Sequence, residues 1–294
     1  MASLKKLYTL VLAALTLVAA VSCESISEDN RYIPIAPSNP DTPVIPGHDS
    51  DTVVRPKVYR AVLIEDYTGQ QCLNCPNATD EIERLVEIYG DSVIIPVGIH
   101  SGSFGVSGVI KNSLGTFAGY KTDLGQRYFE HFGIESQPSG NVDRQGVSEY
   151  AQWNTYIHRE LQKPILLSLT LNNEYDPATR MLTVKVSALG VDASAPVSGK
   201  LQLLLVEDGL VSFQRLPSGD FDTHYTHNHV LRDAINGDWG TDITVGAEPV
   251  EQTFTYKLPE YEAPQNWTPE NISVIAFVYN DNGVQQVTRK KIIQ

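Results

Sequence analysis

The sequence predicts an α/β domain followed by an all-β, immunoglobulin-like antiparallel sandwich. Three observations carry this. Up to Pro164, apolar runs of strand length alternate with segments of helical period. Beyond it the period switches to two, in six or more short runs with no helical interruption. About 238 residues follow the Pro-rich stretch ending at Pro56, enough for two domains of ordinary size.

In chain order, "MASLKKLYTLVLAALTLVAAVSC" (1–23) opens with Lys5 and Lys6, and an uncharged apolar stretch runs from Leu7 to Val21. That is the layout of a secretory signal, too short and wrongly flanked for a stable membrane span. Its end, "AAVSC", resembles the lipobox of bacterial lipoproteins, with Ala20 where leucine is usual. The resemblance implies a signal peptide over 1–22 and lipidation of Cys23, which would anchor the chain to a membrane without a spanning helix. The alternative is an ordinary signal peptide with an incidental cysteine. Residues 23–56 read as a tether. Pro34, Pro37, Pro40, Pro43 and Pro46 recur every three residues, the period of polyproline II. About 15 such residues at roughly 3.1 Å each span some 45 Å.

The first domain is expected over 57–163. "VYRAVLIEDYTG" (58–69) and "DSVIIPVGIH" (91–100) read as buried strands. Ile82, Leu85, Val86 and Tyr89 share one helical face, with Gly90 at the C-cap place. Segments 118–134 and 150–162 read as further helices, and "HSGSFGVSG" (100–108) as a loop without a phosphate-binding pattern. The sandwich is expected over 164–294. "ILLSLTL", "LTVKVSA", "LQLLLVE", "QTFTYKL", "ISVIAFVYN" and "VQQVTRKKII" are its strand runs.

The net charge is −13, and −15 without residues 1–22. An excess of acid on this scale argues against nucleic acid or anionic lipid as a partner.

"TGQQCLNCPNA" (68–78) holds Cys72 and Cys75. Two thiols at this spacing are a metal half-site, a staple or a redox couple. Zinc wants four ligands, and there is no second CxxC. The histidines His224, His227 and His229 lie some 150 residues on. As a staple, a four-residue loop stabilises by only about 2 kcal/mol, against about 3 for fifteen residues. A redox couple gains from the pair's place after a buried strand and at the head of a helix, where free N–H groups favour a thiolate.

This strand–CxxC–helix layout resembles the thioredoxin-like family. The resemblance implies that Cys72 attacks, Cys75 resolves, Asp66 assists proton transfer from six residues upstream, and Pro138 in "GIESQPSGNVD" is a cis-proline facing the pair. The departures are Gln71 for tryptophan, Leu73-Asn74 for Gly-Pro, and Pro76. Lacking an N–H, Pro76 is expected to delay the helix by a turn and move its dipole from the thiol.

The signal, "EDYTGQQCLNCPNA", the proline segment and a sandwich carrying "HNHVLRDAINGDWG" (227–240) together resemble the Omp28-related family of outer-membrane lipoproteins, over nearly the whole mature chain. Membership implies place and fold more than chemistry. The expectation is an outer-membrane lipoprotein held by Cys23, whose first domain exchanges thiols with a partner protein while the sandwich binds or positions something. The competing expectation is a non-enzymatic adhesion or ligand-binding protein with a structural disulfide. No cofactor, metal or nucleic acid enters either. For the histidines, His227 and His229 would share a strand face and could take a metal with His224 or Asp222. The other reading makes them polar residues at a strand end or domain interface.

Overall fold

A computed structural model describes residues 59–192 and 194–293; the expected signal, tether and Cys23 lie outside them. The first half runs β1 (Val62–Thr68), α1 (Cys75–Tyr89), β2 (Ile94–His100), β3 (Val109–Asn112), β4 (Gly115–Ala118), α2 (Asp123–His131), β5 (Ser139–Val142), β6 (Val147–Ser148) and α3 (Trp153–Leu161). The second half is all strand apart from one 3-10 turn: β7 (Leu167–Asp176), β8 (Met181–Gly190), β9 (Val197–Glu207), β10 (Leu210–Arg215), β11 (Phe221–His227), β12 (Val230–Ala234), β13 (Thr241–Val245), β14 (Val250–Lys257), β15 (Ile272–Asn280) and β16 (Gly283–Lys291). The protein is thus mostly β, in several sheets.

One sheet uses strands from both halves. Its order is β16-β15-β9-β12-β2-β1-β5-β6, with β13 also on β9. β1 and β2 are parallel, joined by α1 as a crossover. β12 links the halves: Val230 is in parallel register with Gly98 of β2, and the strand runs antiparallel to β9. The sequence boundary at 163/164 falls between α3 and β7, and the sheet is continuous across it.

Three cores follow from which faces are covered. Under α1 and α3 lie Val62, Ile64, Ala78, Ile82, Leu85, Ile94, Val142, Trp153 and Ile157. On the other face Leu63, Ile95, Val97, Ile99 and Tyr128 meet Leu204, Val206, Ile275 and Phe277 from the second half. The third core lies between β14-β8-β7 and the strands β9, β13 and β15. β8 is covered on one face and alternates, burying Leu182, Val184, Val186 and Ala188. β9 and β15 are covered on both: Leu203 and Leu205 face one core, Leu204 and Val206 the other. That is why "LQLLLVE" and "ISVIAFVYN" are apolar runs rather than alternating ones.

A buried ion pair ties the halves. Arg144, at φ 57°, reaches Glu65 of β1 at 2.7 Å and lies over the rings of Phe277 and Tyr279 at 4.8 and 4.5 Å. Removing one partner of such a pair strands a buried charge, costing about 3–5 kcal/mol.

Local boundaries differ from the expectations in two places. The helix expected over 118–134 starts at Asp123, where the Thr122 side chain caps Gly125 N–H; the residues before it belong to the β3–β4 hairpin. The helix expected over 150–162 opens as a 3-10 turn over Tyr150–Gln152. No described helix is long and apolar enough to cross a membrane.

Candidate functional site

The loop after β1 is held close to its neighbours. A Cβ on Gly69 would stand 2.4 Å from the Phe104 carbonyl carbon, so only glycine fits without displacement. Gln71 N–H donates to Phe104 O at 3.1 Å, and Cys72 N–H to Gly69 O at 3.0 Å. α1 begins at Cys75, with Pro76 in its first turn. The expected delay of a turn is therefore overturned. A proline in the first turn gives up an N–H that has no partner within the helix, so Pro76 is accommodated where it stands. Cys75 occupies the helix N-terminus. Cys72 and Cys75 form a disulfide, and both are buried, at 2% and 1% exposure. The Gln137–Pro138 peptide bond is cis, and Gln137 Nε2 donates to Thr68 O at 2.6 Å.

The cover comes from the second half. β10 and β11 form a two-stranded hairpin laid over the cysteine loop. Gln214 Nε2 donates to Cys72 O at 2.9 Å and to Gly69 O at 3.3 Å, and Arg215 N–H donates to Gln70 O at 2.8 Å. The buried Gln70 returns the contact, its Nε2 donating to Ser212 Oγ at 2.9 Å.

Beneath the hairpin a cavity of about 40 Å³ is lined in part by Asp66, Cys75, His100 and His227. That is room for a few water molecules. Asp66 is buried and its Oδ1 has no hydrogen-bond partner among the described residues; burial pushes its carboxyl up to about 8. His100 closes β2 opposite Thr68, with neither ring nitrogen partnered among the described residues. Burial, aided by His227 and Arg232, holds it well below the usual histidine range. The His227 ring stands edge-on to it, centroids 5.2 Å apart, and burial lowers His227 to about 4.

The three C-terminal histidines do not converge. β11 ends at His227 and His229 follows the turn at φ 56°, so the shared strand face expected for the pair is lost. His224 is exposed, while His229 Nδ1 stands 3.0 Å from Asp208 Oδ1. Among the described residues no three His, Cys, Asp or Glu groups are placed to hold a metal ion. Cys72, Cys75, Asp66 and Pro138 are expected from the family resemblance; His100, Gln70 and Gln214, which the structure places beside the cysteine loop, are not among the expected residues. His100 had a readable signal, a polar residue at the carboxyl end of a parallel strand, where open α/β sheets collect their sites. The two glutamines had none.

A family model described as outer membrane protein Omp28 matches residues 125–294. The fold is similar to that of HBP35 of Porphyromonas gingivalis, with a TM-score of 0.61 and 14% identity over 81% of this chain and 77% of that one. A domain of the outer membrane lipoprotein Omp28 from Porphyromonas gingivalis is 27% identical over 44% of this chain and 90% of its own, at a TM-score of 0.33. No curated protein matches the chain. With its match extending over more than half of the sequence, this protein belongs to the outer membrane protein Omp28 family and is a protein of the outer membrane.

Proposed function

We propose that this outer-membrane protein carries out thiol–disulfide exchange at Cys72 and Cys75, within a thioredoxin-like segment over 57–163, and that the strands of 164–294 form a sandwich that covers and presents it. The observation that carries the reading is the buried Asp66, whose Oδ1 has no hydrogen-bond partner among the described residues, sharing a cavity with Cys75; burial pushes its carboxyl up to about 8. A buried carboxyl without a partner costs stability, and such groups gather at sites that move protons. In the exchange, the Cys72 thiolate attacks a partner disulfide, forming a mixed disulfide and releasing one partner thiolate. Cys75 gives up its proton and attacks Cys72 Sγ; the second partner thiolate leaves, and the Cys72–Cys75 disulfide is restored. The partner is reduced and the protein oxidised. Attack on Cys72 needs the β10–β11 hairpin to lift, because both sulfurs are covered in the disulfide state.

The proposal includes attachment through a lipid on Cys23. Cys23→Ser is expected to leave the membrane fraction; a variant that still sediments with outer membrane rules the anchor out.

Glutathione equilibration of the soluble mature chain tests the exchange. A couple between about −270 and −120 mV, with Cys72 alkylating before Cys75, is the expected result. The burial of both sulfurs favours a second reading, in which the disulfide staples the loop beneath a binding surface. A potential below about −300 mV, with neither thiol faster than a model peptide, establishes that reading instead.

A further inference from the structure

His227 belongs to the strand-rich half, yet its ring is buried against the cysteine loop. The ring is hydrogen-bonded to the backbone of Phe213, and that bond favours the protonated imidazole. The ring nitrogen on that side therefore donates its N–H to the carbonyl. Nε2 has no partner among the described residues, so Nδ1 makes the bond and Nε2 keeps a bare lone pair. The same cavity holds Cys75 and Asp66. One small cavity is thus lined by a disulfide sulfur residue, a buried carboxyl and an imidazole. Each is buried, and the acid and the imidazole have an atom without a protein partner.

We propose that His227 is the terminal proton acceptor for Cys75, acting through Asp66. The inference rests on the exchange reading above. In the mixed disulfide, Cys75 S–H gives its proton to the free oxygen of Asp66. Asp66 passes its own proton through cavity water to His227 Nε2, and the Cys75 thiolate displaces the partner sulfur from Cys72. The carboxyl ends as it began, neutral. The charge left behind is a thiolate facing an imidazolium, an opposite pair that attracts strongly in a poorly solvated site. Asp66 alone would have to hold a second proton. A neutral imidazole, kept unprotonated until a thiolate forms nearby, removes that obstacle.

The groups facing His227 are Asp66 on β1, His100 on β2, Tyr120 beyond β4, Glu83 on α1, Tyr225 and Asp222 on its own strand, and His229 past its end. Arg232 acts on His100. His224, exposed on the same strand and outside the cavity, serves as the control position.

The test uses the reduced mature chain carrying Cys23→Ser, so that Cys72 and Cys75 are its only thiols, and dithiobis(nitrobenzoate) in stopped flow. The first nitrothiobenzoate released marks the mixed disulfide at Cys72; the second marks attack by Cys75. His227→Gln keeps a polar group against Phe213 and removes the basic nitrogen. It is expected to slow the second release at least 10-fold at pH 7. The deficit should close above pH 9, where the thiol ionises unaided, while the first release is unchanged. His227→Phe, which fits the aromatic surroundings, should give the same profile, and His224→Gln a wild-type one. A second release whose pH profile is the same in wild type and both His227 variants overturns the inference and leaves exchange intact. A wild type that gives no second release overturns the exchange reading and this one with it.

Discussion

At neutral pH Asp66 carries a proton that the unfolded chain would have released. Its folded pKa is about 8, against an ordinary value near 3.9, so between those limits the folded state binds the extra proton. Stability attributable to this group falls as pH rises through that window, by roughly 1.4 kcal/mol per unit. His227 has the opposite sign. Lowered to about 4, it is protonated in the unfolded chain and not in the folded one between about 4 and 6.5, so its contribution to stability rises with pH there. Asp66→Asn removes the first effect. The variant should match wild type in urea midpoint near pH 4 and exceed it at pH 8, by several kcal/mol in all. A difference between the two that does not change with pH would show that Asp66 is already ionised when folded.

At the scale of elements, the β10–β11 hairpin decides what can reach the disulfide. Among the described residues it has no other sheet partner, and its hold on the cysteine loop runs through Gln214, Arg215 and Ser212. Gln214→Ala deletes the Nε2 hydrogen bonds to the carbonyls of Gly69 and Cys72, costing about 1–3 kcal/mol where a buried acceptor loses its donor; Gly69 O keeps the Cys72 N–H. Most of that loss should fall on local opening rather than on the large sheet. Reduction of Cys72–Cys75 by dithiothreitol should accelerate about 5-fold or more, with the thermal midpoint falling only a few degrees. Equal rates in variant and wild type would mean the reductant reaches the sulfurs by another route.

For the whole molecule, the continuous sheet and the core shared by Leu63, Ile95 and Tyr128 with Leu204, Ile275 and Phe277 join two halves that each also have a core of their own. Unfolding should therefore be a single transition. Trp153 lies in the core under α1 and α3, and Trp267 in the core beneath β14-β8-β7. Variants retaining only one of these as fluorophore should give coincident urea midpoints; separated midpoints would show that the two segments fold independently.

The sequence by itself carried what is local. Alternation announced β8, helical period and Gly90 announced α1, and the CxxC spacing announced the paired thiols, with Asp66 implied only by the family resemblance. Those signals work because a strand face, a helix stripe and a turn are decided within a few residues. The tertiary structure decided the rest. Gln214 over Cys72, His227 against His100 and Arg144 on Phe277 join residues more than 120 positions apart, and nothing near any one of them names its partner. β9 and β15 show the same division: their apolar runs said that they are buried, and only the sheet order shows that they are buried on both faces, against two different cores.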